Sequence, residues 1–214
     1  MKRVLSLFFI SLVALSGCGQ QNAEQSSNKN QEIKVGGRCE DCEAIYESPV
    51  PFDKLKSVDT LPGFNTKGPK IEISGIVYKS DGITAAPGVV LYVYHTDQNG
   101  IYPKLENEKG MGRHGYIRAW IKTDAEGKYK FYTLVPASYP NSNNPKHIHA
   151  IVKEPGKSEY WIDDFLFADD PLLPKGKIQN PKGGNGVIQP ISNGSILKAT
   201  RNIVLGKNIT GYPD

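Results

Sequence analysis

The sequence predicts an all-β domain, a β-sandwich or barrel with long connecting loops, and two observations carry that reading. Short apolar segments recur between residues 70 and 206, separated by Gly, Asp, Asn and Pro turns. No stretch of a dozen or more residues holds the 3.6-residue apolar period of an amphipathic helix.

The N-terminus is set apart from that pattern. Lys2 and Arg3 precede an apolar run from Val4 to Leu15, too short for a comfortable membrane-spanning helix, and Leu15-Ser16-Gly17-Cys18 places small residues before a cysteine. The run resembles the lipobox of bacterial lipoproteins. That resemblance implies a signal over residues 1–17, cleavage before Cys18, a lipid on Cys18, and an extracytoplasmic chain held at a bacterial membrane, on its periplasmic or cell-surface face. An ordinary secretory signal with an incidental cysteine is the alternative. Residues 18–35 are rich in Gln, Asn, Ser, Lys and Glu and predict a flexible tether, leaving 36–214 as one domain's worth of chain.

The formal charge is +4, and about +2 once Lys2 and Arg3 leave with the signal. Lysines are scattered and form no basic block, so a nucleic-acid partner has no support, and membrane contact is expected only through the lipid. Cys39 and Cys42 lie three apart in an exported chain, which predicts a local structural disulfide. Thioredoxin-type redox chemistry would need a strand-to-helix junction there, and a zinc site two further ligands.

Each strand can then be justified in turn. Residues 70–78 alternate apolar and polar side chains and end at the Ser80-Asp81-Gly82 turn. Residues 89–95 form a more fully apolar run closed by Asp97-Gln98-Asn99-Gly100. Residues 116–123, then 128–133 after the Asp124-Ala125-Glu126-Gly127 turn, follow. A Pro- and Asn-rich loop leads to His147-Ile148-His149-Ala150-Ile151-Val152. Tyr160-Trp161-Ile162, Phe165-Leu166-Phe167 and Asn202-Ile203-Val204-Leu205 supply shorter segments, and Gly183-Gly184-Asn185-Gly186 predicts a surface loop.

His147-Ile148-His149 is the sharpest chemical signal. Residues two apart in a strand point to one face, so both imidazoles can converge on one metal. A nearby carboxylate among Glu154, Asp163, Asp164, Asp169 and Asp170 would complete a two-His, one-carboxylate ferrous site. Tyrosines are the other completion, with 11 in the chain. Tyr102 follows the Asn99-Gly100 turn and Tyr139 lies eight residues before His147. A phenol that titrates near pH 10 gives up its proton only to a highly charged cation such as Fe(III).

The whole pattern resembles the intradiol ring-cleavage dioxygenases, the family of protocatechuate 3,4-dioxygenase and catechol 1,2-dioxygenase. The residues that carry the resemblance are Tyr94-His95-Thr96-Asp97-Gln98-Asn99-Gly100-Ile101-Tyr102, the block from Thr123-Asp124 through Gly127, Tyr129, Phe131 and Thr133, then Pro136-Ala137-Ser138-Tyr139-Pro140 and Pro145-Lys146-His147-Ile148-His149. It implies a β-sandwich of the intradiol type over about residues 70–206, with Tyr102, Tyr139, His147 and His149 on Fe(III). It further implies Tyr139 as the ligand that leaves and acts as base, and a small aromatic diol and O2 as substrates. Two positions depart from the family pattern. Asn144 stands where it has an arginine, and Asp164 where it has a glutamine. Both changes remove donor or positive character that would help an anionic intermediate, so Asn144 and Asp164 are candidate catalytic positions whose altered chemistry bears on activity. Arg118, with Arg113 and His114, is the candidate for the missing charge. The alternatives are a catalytically silent binding module for an aromatic or carbohydrate-derived ligand, and a transthyretin- or immunoglobulin-like structural domain with a packed His-x-His strand.

Overall fold

The computed structural model describes residues 32–105, 113–176 and 178–213. The signal segment, Cys18 and the tether up to residue 31 lie outside the described residues. Packing begins before residue 36: the Ile33 N–H donates to the Gly156 carbonyl at 2.9 Å, and Val35 is buried in the core.

Eleven strands form among the described residues: β1 (Val58–Thr60), β2 (Lys70–Tyr78), β3 (Val90–Tyr94), β4 (Arg118–Lys122), β5 (Lys128–Leu134), β6 (His147–Lys153), β7 (Tyr160–Phe167), β8 (Val187–Ile188), β9 (Ile191–Asn193), β10 (Ile196–Thr200) and β11 (Ile203–Val204). One sheet runs β1-β5-β2-β10-β9 with β11 also on β2; the other runs β4-β3-β6-β7-β8. The two pack as a sandwich. Ile71 and Ile73 of β2 and Phe131 of β5 face Leu91, Val93, Ile148 and Phe165 of the second sheet, all fully buried. Phe131 and Phe165 meet edge to face across the interior, with centroids 5.8 Å apart. The alternation read in residues 70–78 and 128–133 is the in–out alternation of sheet residues with one face on this core.

The second sheet is covered on its other face too. There Val90, Tyr92, Trp120 and Ile151 pack against Cys42, Ala44 and Ile45 of a 3-10 helix over Cys42–Glu47. The Trp120 indole N–H donates to the Ile45 carbonyl at 2.7 Å. Cys39 and Cys42 are disulfide-bonded, with Cα atoms 5.5 Å apart, and the loop they close lies at the start of this cover.

Three features differ from the sequence expectation. The two fragments around Asp163-Asp164 form a single strand, β7, interrupted by a β-bulge: Ile148 pairs with Phe165 and Ala150 with Ile162, so His149 alone stands opposite Asp163 and Asp164. The Gly183–Gly186 segment is not a surface loop. Gly183, Gly184 and Gly186 are buried, and a Cβ at Gly186 would collide with the Asp164 carbonyl, so only glycine lets β8 come alongside β7. Finally, β1 and β8–β10 carry no readable alternation because they are two to five residues long and partly exposed.

Candidate metal centre

His147 and His149 lie on the face of β6 that also carries Ile151, outside the sandwich core. Cross-strand pairing sets Tyr94 of β3 beside His149, and their rings stack 4.6 Å apart. His114 stacks on the far side of Tyr94 at 3.7 Å, and its Nδ1 lies 2.9 Å from the Tyr92 hydroxyl.

Two loops bring in the tyrosines. Asp97 Oδ1 accepts from the N–H groups of Asn99 and Ile101, closing the turn that delivers Tyr102. The Tyr139 loop is tied to it: the Ala137 N–H donates to the Asp97 carbonyl, and the Thr96 hydroxyl to the Ala137 carbonyl. Gly100 sits at φ +75, and a side chain there would collide with the Ser138 carbonyl. Glycine is therefore what permits the two tyrosine loops to touch.

The result is a four-membered cluster. The Tyr102 and Tyr139 hydroxyl oxygens are 2.5 Å apart. Tyr139 Oη lies 3.1 Å from Nε2 of both His147 and His149, the two Nε2 atoms lie 3.1 Å from each other, and Tyr102 Oη lies 2.8 Å from His149 Nε2. These separations are close to the edges of a coordination polyhedron with metal–ligand bonds of about 2.0–2.1 Å.

Tautomers make the same point. His147 Nδ1–H donates to the Pro145 carbonyl at 2.6 Å, and His149 Nδ1–H donates to Asp164 Oδ1 at 2.9 Å. Both Nε2 atoms then present lone pairs inward, facing each other, and a cation relieves that repulsion. Burial disfavours the charged forms of Tyr102, Tyr139 and His147. It pushes the Tyr102 phenol well above its usual range, raises Tyr139, and lowers His147. His147 is thus held neutral, as a metal ligand must be, while two half-buried phenols become oxygen anions only beside a strong positive charge. The donor set fits a ferric ion. Asp164, the carboxylate within reach of both histidines, is bound to the outer nitrogen of His149 and orients that ring.

A cavity of about 510 Å³ opens over the cluster, a size suited to a small ligand. Tyr139, His147 and His149 line its floor, with Asn144, Trp161, Asp163, Asp164, Leu166 and Ile178 around them. The family model described as Dioxygenase (Dioxygenase_C) matches residues 46–191. The chain belongs to this dioxygenase family. It is 30% identical over 135 residues to catechol 1,2-dioxygenase 2 of Acinetobacter lwoffii, an alignment that covers 50% of this chain and 48% of that one. It is 28% identical over 137 residues to the protocatechuate 3,4-dioxygenase beta chain of Burkholderia cepacia, covering 58% and 55%. The chain spans about half the length of these relatives. Among solved structures, the dioxygenase domain of a dioxygenase–carbohydrate-binding fusion from Streptomyces sp. SirexAA-E superposes with a TM-score of 0.53 at 22% identity, covering 73% of this chain and 94% of that one. Hydroxyquinol 1,2-dioxygenase from Pseudomonas putida DLL-E4 gives 0.52 at 19%, covering 73% and 63%. The fold is the intradiol dioxygenase sandwich.

Within this dioxygenase-family chain, the sequence-derived positions are distributed unevenly. Tyr102, Tyr139, His147 and His149 come together, and Asn144 and Asp164 line the cavity. Arg118 does not line it. Its guanidinium is engaged with Glu47 at 2.5 Å and lies over the Trp120 ring, so it does not stand in for an arginine at position 144. Arg113 pairs at the surface with Glu40 and Asp41, inside the disulfide loop, and His114 is a packing residue whose pKa burial lowers to about 4. None of the described residues lining the cavity is Lys or Arg. The sequence reading missed the part played by Tyr94, which braces His149. The signal was its parity with Tyr92 on one strand face, legible only once its partner strand is known.

Proposed function

We propose that this chain is a non-haem Fe(III) dioxygenase that opens a small catechol-type ring between its two hydroxyl-bearing carbons, incorporating O2. One observation carries the reading: four donor atoms, two phenolic and two imidazole, converge at 2.5–3.1 Å beneath a ligand-sized cavity. Tyr102, Tyr139, His147 and His149 would hold the ion, which when bound supplies Lewis acidity and a template that activates the diol toward O2.

The chain's own residues do the rest. Tyr139 is the tyrosine that faces the cavity, while Tyr102 sits behind it. Tyr139 is therefore placed to take the proton of an incoming diol hydroxyl and to swing away from the site. Asp164 keeps the His149 proton on Nδ1 and its lone pair inward. Trp161, Leu166 and Ile178 offer apolar walls for a ring, and Asn144 offers an amide N–H to a substrate oxygen. With two aspartates and no basic side chain among the described lining residues, the cavity favours an uncharged diol over a carboxylated one.

Iron content and the visible spectrum of the ferric-loaded protein, with oxygen uptake on adding catechol, test the proposal. One iron per chain, a tyrosinate-to-iron band that shifts with catechol, and ring-opened product are expected. Tyr139→Phe should cut turnover by about 10²-fold or more through loss of the base. A colourless protein after loading would overturn the reading. A second reading, a silent binding module, is favoured by Asn144 and the acidic cavity wall; iron and colour without ring opening across a catechol panel would select it. The export assignment belongs with the proposal: a lipid on Cys18 would hold the enzyme outside the cytoplasm, where it meets small exogenous diols.

A further inference from the structure

Arg201 lies in the connection between β10 and β11 and is only 3% exposed. A guanidinium keeps its charge at any ordinary pH, and burying one without a carboxylate partner is costly. Among the described residues no carboxylate pairs with it, and its Nε and Nη2 have no hydrogen-bond partner. The side chain passes from the first sheet across the core, with its Cζ 4.5 Å from the Phe165 ring centroid, and Nη1 donates at 2.7 Å to the carbonyl of Asp163.

That carbonyl belongs to the β-bulge. Ile162 and Phe165 are three apart, yet both are buried in the core, which a regular strand forbids because successive side chains alternate faces. The bulge supplies the change of parity. Were β7 regular, Asp164 would share the core face of Ile162 and could not meet His149 on the opposite face. Its extra residue leaves backbone groups without regular ladder partners. The Asp163 N–H donates to the Lys182 carbonyl at 3.1 Å, and its C=O is taken by Arg201. The Asp164 carboxylate then lies 2.9 Å from His149 Nδ1.

We propose that Arg201 is a positioning residue of the metal centre: by holding the Asp163 carbonyl it locks the β7 bulge, which aims Asp164 at His149 and keeps the His149 Nε2 lone pair turned toward Tyr102 and Tyr139. The proposal rests on the metal-centre reading for its purpose, but the clamp itself is a property of the metal-free protein. Its location accounts for a buried, incompletely bonded cation that a merely structural role would not require, since an apolar side chain of similar volume fills such a space at no greater cost.

The test uses the full chain with ¹⁵N-labelled histidine, the His149 signals being identified by their loss in His149→Gln. In the metal-free protein the His149 Nδ1 proton is expected to be fixed on one tautomer and protected from exchange. Arg201→Met should fold but lose at least tenfold in that protection, and Arg201→Lys, long enough to reach the carbonyl, should restore it to within about threefold. Should the methionine variant fail to fold, Arg201→Gln takes its place, polar but too short to reach the carbonyl. Ferric affinity should fall about 10–100-fold in step, as for loss of an outer-shell partner. Unchanged protection in folded Arg201→Met or Arg201→Gln overturns the clamp, whatever the iron result. A parent chain that shows the protected proton but takes up no iron overturns the metal reading and leaves the clamp standing.

Discussion

Buried imidazoles set the acid limit of this molecule residue by residue. His95 is 1% exposed, with Nε2 accepting from the Thr133 hydroxyl at 2.6 Å and Nδ1–H donating to the Thr96 carbonyl at 2.7 Å. Burial lowers its pKa to about 4. The unfolded chain then takes up a proton near pH 6.5 that the folded chain refuses until about pH 4, so stability falls with acidification across that window and is unaffected above it. The loss is on the order of 3 kcal/mol for a fully desolvated group. Urea-unfolding midpoints should therefore drop between pH 6.5 and 4, and His95→Gln should flatten the slope. A midpoint that stays level through the window would contradict the assignment. The two site phenols behave oppositely: their raised pKa keeps them protonated until a cation arrives, so ferric loading should release protons.

Elements are held by backbone approaches that local sequence hides. Gly75 lies mid-strand in β2, where the chain moves from pairing with β10 to pairing with β11. A Cβ there would collide with the Arg201 carbonyl and come within 3.0 Å of the Tyr129 ring. Gly75→Ala should cost about 3 kcal/mol by overpacking, read as a lowered urea midpoint; an unchanged midpoint would mean that the β10–β11 crossover is not closely packed. The β7 bulge is the same kind of feature. Asp163-Asp164 breaks the apolar run in the sequence, and that break marks a change of strand parity rather than a turn, because both halves stay paired with β6. The long strands were legible from short-range patterns: alternation in β2 and β5, which bury one face, and apolar runs in β3 and β6, which are buried on both. The parallel pairings β1–β5, β2–β10, β2–β11 and β7–β8 were not, because no local turn links parallel partners.

At the scale of the whole molecule, one sandwich supports two loops on a β-sheet face, and the 3-10 helix that follows the disulfide loop packs on the same face. No helix among the described residues is long and apolar enough to cross a membrane. If Cys18 carries a lipid, the mature chain should fractionate with membranes and its N-terminal peptide should begin at Cys18 with the added mass of the lipid. A mature chain with an unmodified N-terminus in the soluble fraction would argue against the anchor.

Sequence by itself determined the β class, the main strands and the His147/His149 pair, because strand patterning, Asx turns and a same-face His-x-His are short-range properties; that Tyr102 and Tyr139 join them was implied only by the family resemblance. Tertiary structure decided what surrounds them. It placed Arg118 on Glu47 and away from the cavity, turned Asp164 into the support of His149, and drew Arg201 under the bulge from 38 residues away in the chain. Those roles depend on which strands lie side by side and where a carbonyl is left unpaired. The packing of the two sheets settles both, and no periodicity in the chain encodes them.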